Sequence, residues 1–232
     1  MDVFKGEVFY VDKPLHWTSF NVVNRLRWKI KKVAGIKKIK VGHAGTLDPE
    51  ATGVMIICTG KATKQIESFQ SQTKEYIAEL KLGATTPSFD MELPVNAVYP
   101  TEHITRELID QVVSTFIGEI EQIPPIFSAV KIDGKRAYEY ARNGQEIELK
   151  PKKLVIDEIE ILNFVPPTLT LRIVCSKGTY IRALARDIGF ALNSGSFLTS
   201  LRRIRIGNVR IDDCWDIENL LKHLDKELKS TE

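Results

Sequence analysis

Segments of strand character outnumber helical ones in this chain, and some are joined by turns too short for a crossover helix. "YIAELKLG" sets Tyr76, Ala78, Leu80 and Leu82 against Ile77, Glu79 and Lys81, the two-residue period of a half-buried strand. "EVFYVDKP" reads as a strand stopped by Pro14, "VMIICT" as a buried strand, and "LVIDEIEILNF", "TLTLRIVCSKG" and "FLTSLRRIRIG" as three more. Helices come between them. One is N-capped by Ser19 and runs to Gly35, with Val23, Leu26, Ile30 and Val33 as its apolar stripe. A short one starts at Ala62, "ITRELIDQVVSTFIG" ends near Gly118, and "TYIRALARDIGFALNSG" and "IENLLKHLDKEL" are the others. "FSAVKIDGKRAYEYARNG" reads as a strand, an Asp-Gly turn, a short helix and a glycine cap. This order predicts a mixed α/β, α+β-like fold with a central, largely antiparallel sheet flanked by helices. At 232 residues, with no repeat and no linker, a single domain over 1–232 is expected.

Charge points to a partner. The net is only +3, but residues 1–64 carry 12 Lys/Arg against 5 Asp/Glu, while residues 212–232 carry 3 against 7. Eight basic residues and no acid lie between Arg25 and Lys40, and "LRRIRIGNVRI" adds Arg202, Arg203, Arg205 and Arg210. Clustered cations suit a polyanion, most commonly nucleic acid. Lys29 and Lys32, off the apolar stripe of their helix, are expected to contact phosphate, as is the Arg-rich strand. No apolar run approaches the roughly 18 residues of a membrane span. The start lacks the basic and apolar regions of a secretory signal. Cys58, Cys175 and Cys214 are odd in number and far apart, which reads as reduced thiols and fits the cytoplasm.

The densest chemistry is in "KVGHAGTLDPEATGVMIICTGKATK", Lys40–Lys64, where two glycines, a histidine, a threonine, an aspartate and a proline precede a buried strand. A phosphate loop is excluded, because Met55 holds the first glycine position and Ala62 the hydroxyl position. His16, His43, His103 and His223 are scattered and no cysteine pair has ligand spacing, so no metal site is expected. A Gly-x-Ser-x-Gly elbow is absent. Asp48 remains. Its ordinary role is to satisfy backbone N–H groups in a turn. Arg182, just past a buried strand, and Tyr76, at a strand start, change that balance. Asp, Arg and Tyr suit a planar uncharged substrate: arginine keeps a carboxylate ionised and oriented, and an aromatic ring stacks on a base.

With these segments in view, "VGHAGTLDPEATGVMIICTGKATK" closely resembles the aspartate motif of the TruB family of tRNA pseudouridine synthases. "DKPLHWTS", "KEYIAELKLGATTPSFD", "CSKGTYIRALARDIG" and "LTSLRRIRIG" resemble its other motifs, in order, over about residues 7–210. The resemblance implies isomerisation of the uridine at position 55 in the tRNA T loop, without cofactor or metal, and with Asp48 as the catalytic carboxylate. It implies that Arg182 pairs with that aspartate, that Asp90 is an acidic partner of the arginine, that Tyr76 stacks on the flipped base and that Leu201 lines the base pocket. His43 would enter the RNA stack where the base leaves, with Gly42 and Gly45 letting the backbone approach closely. The segment at about 123–147 resembles the family's RNA-clamping insertion, placing Lys131, Lys135 and Arg136 over the T loop. His16 and Asn21 stand where Gly and Asp are common in the family, and Glu50 where an apolar residue is common. The acidic end is too short for the C-terminal PUA domain of many members, so none is expected. A monomer with no obligate protein partner is expected. Two alternatives stay open: a non-catalytic tRNA-folding module on the same scaffold, and an Asp-dependent phosphotransferase.

Overall fold

Thirteen strands and six α-helices follow one another along the chain in the computed structural model, which describes residues 2, 3, 5–128, 130–132, 134–145 and 147–229, without the side chains of Lys131 and Lys229. The order is β1 (Val8–Lys13), α1 (Ser19–Val33), β2 (Val41–His43), β3 (Ala51–Thr59), α2 (Ile66–Ser71), β4 (Lys74–Leu82), β5 (Ala84–Thr85) and β6 (Ala97–Val98). Then come α3 (Arg106–Ser114), β7 (Gly118–Gln122), β8 (Lys131–Ile132), β9 (Lys135–Arg136), α4 (Ala137–Arg142), β10 (Lys152–Val165) and β11 (Thr168–Cys175). The chain closes with α5 (Ile181–Ala191), β12 (Ser196–Ile206), β13 (Val209–Arg210) and α6 (Ile217–Lys229). This is a mixed α/β fold with a large, mostly antiparallel sheet, as the alternation of the strands predicts. No linker divides it, yet the chain parts into two compact units, residues up to 75 with those from 202 on, and residues 76–201. The boundaries fall inside β4 and β12.

The first unit holds the strand order β1–β3–β12, with β2 on β3 and β13 on β12. β3 is apolar on both faces, and Val54, Met55, Ile56, Ile57 and Cys58 are all fully buried. Each such side chain contributes roughly 1.5–3 kcal/mol of burial. Val54, Ile56 and Cys58 share a cluster with Ala44, Ala62, Ile206 and Val209. α1 buries Val22, Val23, Leu26 and Ile30, a stripe shifted by one turn from the expected one, with Val33 left half-buried. Its N-cap is Thr18, not Ser19. Thr18 Oγ1 accepts from Asn21 N at 3.0 Å, and Asn21 Oδ1 accepts from Thr18 N at 2.8 Å. Both residue types cap helices; Ser19 is diverted because its hydroxyl is turned inward, onto Leu47.

The second unit holds the order β12–β4–β11–β10–β7. β4 buries Tyr76, Ala78, Leu80 and Leu82 on one face, the register its sequence predicts. The helix expected to end near Gly118 stops at Ser114. After a turn, Gly118 (φ +100°) opens β7, which pairs antiparallel with β10. "GEIEQ" is short, and its glutamates dilute the strand signal; they suit a strand at the end of the sheet order, where charge discourages further pairing. β8, β9 and α4 make up the 123–147 segment; Asp133 of its expected Asp-Gly turn lies outside the described residues.

Candidate active site

Asp48 stands half-buried in the loop between β2 and β3, and the first unit pins that loop at every other residue. Arg203, from β12, is almost fully buried and reaches into it. Its Nη2 donates to Gly45 O at 3.2 Å and its Nη1 to Thr46 O at 3.4 Å, while its Nε donates to Val54 O at 2.8 Å. Ser19 holds the next residue: its Oγ donates to Leu47 O at 3.0 Å and accepts from Leu47 N at 2.9 Å. Past Asp48, Pro49 O accepts from His16 N at 2.8 Å and from Lys13 Nζ at 3.4 Å. Lys13 Nζ also donates to Trp17 O at 2.6 Å and Pro14 O at 2.9 Å, so three carbonyls solvate a fully buried ammonium. Burial pushes its pKa down to about 8, against the pull of the Asp48, Glu50 and Asp12 carboxylates, with Arg203 adding to the depression. The result is a carboxylate on a loop whose backbone is fixed by two buried cations.

His43 ends β2, paired with Ile57, and is half-buried. Burial lowers its pKa first; a backbone hydrogen bond with Gly45 opposes this, and the Arg203 cation reinforces it. Gly45 has φ +103°, which costs a side chain strain and glycine none. Gly42 has a packing reason of its own, since a Cβ there would come within 2.7 Å of Ile66 Cδ1. His16 is left-handed too, at φ +63°, and its Nδ1 lies 3.2 Å from Glu50 Oε1. The His16 ring and the Glu50 carboxylate thus lie within hydrogen-bond reach of each other.

Tyr76, Asp90, Arg182 and Leu201 belong to the second unit, and all four are buried. Arg182 is in the first turn of α5. Its Nη1 donates to Ser88 O at 3.1 Å, its Nη2 to Phe127 O at 2.8 Å, and Asp90 Oδ2 lies 3.5 Å from its Nε. The start of α5 is fixed by Gln122, whose Oε1 accepts from Tyr180 N at 2.9 Å and whose Nε2 donates to Tyr180 O at 3.2 Å. Asp90 Oδ1 in turn accepts from Glu92 N at 3.0 Å. A forked cation held on both sides cannot swing, which is what orienting a substrate or a carboxylate requires.

The basic residues expected to contact phosphate have partners within the chain. Arg202 pairs with Asp12 at 2.7 Å, Arg205 with Glu75 at 2.6 Å, and Arg203 is the loop clamp. Three of the four arginines of the late strand thus bond within the first unit. Lys29 pairs with Asp225 of α6 and is largely buried. Lys32 lies 5.0 Å over the Trp28 ring, with Arg25 at 5.7 Å. In the 123–147 segment Lys135 is exposed, 6.0 Å from the Tyr140 ring, and Arg136 is exposed at the start of α4; the Lys131 side chain lies outside the described residues. Lys13, Ser19 and Arg203 are the positioning groups that residue patterns did not reveal. Lys13 is signalled only by its place in the Asp-Lys-Pro segment, and Arg203 is hidden among its neighbours. Among the described residues no three His, Cys, Asp or Glu side chains gather as a metal site, and no helix is long and apolar enough to cross a membrane.

The family model for the N-terminal domain of TruB family pseudouridylate synthases matches residues 31–181. The chain belongs to the TruB family of pseudouridine synthases. It is 65% identical over 227 residues to the tRNA pseudouridine synthase B of Phocaeicola vulgatus, covering 98% of this chain and 97% of that one. It is 61% identical to the protein of the same name in Parabacteroides distasonis, over 100% of this chain and 99% of that one. Among solved structures, a chain of a Cbf5–Nop10–Gar1 complex superposes with a TM-score of 0.72 at 30% identity; the match covers 97% of this chain and 56% of that one.

Proposed function

We propose that this chain isomerises the uridine at position 55 of the tRNA T loop to pseudouridine, with Asp48 as the reacting carboxylate. Family membership supplies the reaction class. The observation that carries the assignment of Asp48 is the loop itself, whose neighbours on both sides are tied down by Arg203, Ser19 and Lys13. In the reaction the N1–C1′ bond breaks, the uracil turns, C5 bonds to C1′, and the proton lost from C5 is balanced by one gained at N1. Positive charge builds at C1′ as the bond breaks, and a carboxylate beside the sugar stabilises it. Glycosidases add a second carboxylate to activate water; here water would destroy the intermediate, and a single carboxylate suits the isomerisation. Tyr76 stacks on the flipped base, Leu201 walls the pocket, Arg182 with Asp90 fixes the surrounding loops, and His43 fills the gap left in the RNA stack. Burial, which lowers the pKa of His43, favours its uncharged ring. Lys131, Lys135 and Arg136 of the 123–147 segment close on the T loop. The protein acts as a cytoplasmic monomer that needs no cofactor.

Incubating the protein with an unmodified tRNA transcript and mapping pseudouridine tests this directly. Product at position 55 is expected from the wild type, and none from Asp48→Asn, which should bind the transcript with affinity near wild type. Turnover by the Asn variant would refute the role of Asp48, and binding without product by the wild type would favour a tRNA-folding module.

A further inference from the structure

A groove of about 590 Å³ in the first unit is lined by Arg27, Lys31, Lys37, Lys38 and Lys40, with Ile39 as its apolar patch. Arg27, Ile39 and Lys40 also line a second groove of about 450 Å³, whose other walls are Val41, Gly42, Thr63 and Ile66. Among the described residues no acidic one lines either groove. Arg27 is already engaged, donating to Asn24 Oδ1 at 2.8 Å and to Val41 O at 3.0 Å. Lys31, Lys37, Lys38 and Lys40 are exposed, and among the described residues their ammonium groups make no ion pair or hydrogen bond. They repel one another with no described carboxylate lining the groove to offset it, and an anion laid along it would relieve that repulsion.

We propose that this groove is a phosphate track for the RNA hairpin that carries the target uridine, an inference that rests on Asp48 being the reacting carboxylate. The cations favour an extended polyanion over a small one. A site for a single phosphate gathers convergent, buried donors, whereas these are exposed lysine heads spread around the first groove, with Lys40 shared with the second, suited to sequence-independent backbone contact. The lining of the second groove points to which RNA segment is held. Gly42 directly precedes His43 and is six residues from Asp48, so the chain between them spans at most about 20 Å. A strand leaving the groove there arrives beside the loop where the base is to be taken. The track therefore holds the same hairpin and not a distant arm of the molecule. Lys29, which pairs with Asp225 of α6, does not line this groove.

The test is the quadruple variant Lys31→Gln, Lys37→Gln, Lys38→Gln, Lys40→Gln. All four residues are exposed, so folding should be unaffected, which circular dichroism checks. Binding is measured by fluorescence anisotropy at several salt concentrations, with a T-arm hairpin RNA and with the full tRNA transcript. The hairpin should bind about tenfold or more weakly near 0.1 M salt, and the slope of log affinity against log salt should flatten by about 2–3 units. Unchanged hairpin affinity would overturn the proposal, as would a loss without a change of slope or a loss seen only with full-length tRNA. Asp48→Asn, with its lysines intact, separates the two readings: turnover by that variant would remove Asp48 from the chemistry, while the salt slope of the quadruple variant still decides whether the groove holds RNA.

Discussion

Replacing Arg203 with methionine removes the clamp while keeping most of the apolar stem. Three carbonyls lose a charged donor: Val54 O at 2.8 Å, Gly45 O at 3.2 Å and Thr46 O at 3.4 Å. A hydrogen bond to a charged group contributes about 1.5–3 kcal/mol at good geometry. The Val54 bond falls in that range, and the two longer bonds are assigned about 1 kcal/mol each. Relief from burying a guanidinium offsets part of the loss, but the carbonyls stay and lose their partner, so the net cost is about 2–4 kcal/mol. That is a large share of a typical stability of about 5–15 kcal/mol. Arg203→Lys keeps a charge but cannot reach three acceptors from one plane, and should cost about half as much. Chemical denaturation reads the stability. A second readout is local: the Arg203 cation depresses the pKa of His43, so its removal should raise the midpoint of the His43 ring signals in an NMR titration. The single-turnover rate should fall more than RNA affinity, because the loop that aims Asp48 is loosened. Unfolding free energy within about 0.5 kcal/mol of wild type, with an unmoved His43 titration, would refute the clamp.

Lys13 gives a pH signature. Its pKa is about 8 in the folded chain against an ordinary 10.5, so between those values the unfolded chain binds the extra proton and stability rises with pH. The difference in unfolding free energy between wild type and Lys13→Met should therefore climb from about pH 8 to 10.5, and a flat difference would refute the assignment. Arg182→Lys cannot hold Ser88 O and Phe127 O together, and should lower the single-turnover rate more than tenfold, about 1.4 kcal/mol of barrier, with little change in tRNA affinity. A parallel fall in binding and rate would make Arg182 an RNA contact. Asp225→Asn leaves Lys29 without its partner on α6 and should lower stability by about 1 kcal/mol while leaving the salt slope of RNA binding unchanged; a changed slope would mean that Lys29 meets phosphate.

Much of the architecture is written locally. The alternation in "YIAELKLG" determines which face of β4 is buried, and the unbroken apolar run of β3 determines that both its faces are covered. The glycine-rich aspartate loop is visible from residue types alone. Local patterns fail where two residues of the same type have different distant partners. Thr18 and Ser19 are both good caps, and the choice falls to Thr18 only because Leu47, 28 residues beyond Ser19, claims the serine hydroxyl. Arg202, Arg203 and Arg205 are alike as letters in one basic strand. The tertiary structure gives one to Asp12, one to the backbone of the Asp48 loop and one to Glu75, with partners 130 or more positions away. Lys29 and Lys31 differ by two positions on one helix, yet one pairs with Asp225 of α6 and the other lines a groove among basic residues. Hydrophobic periodicity is a property of neighbours in sequence and can be read there. Where a charge finds its counter-charge is set by which segments the fold brings within a few ångströms, and only the tertiary structure decides that.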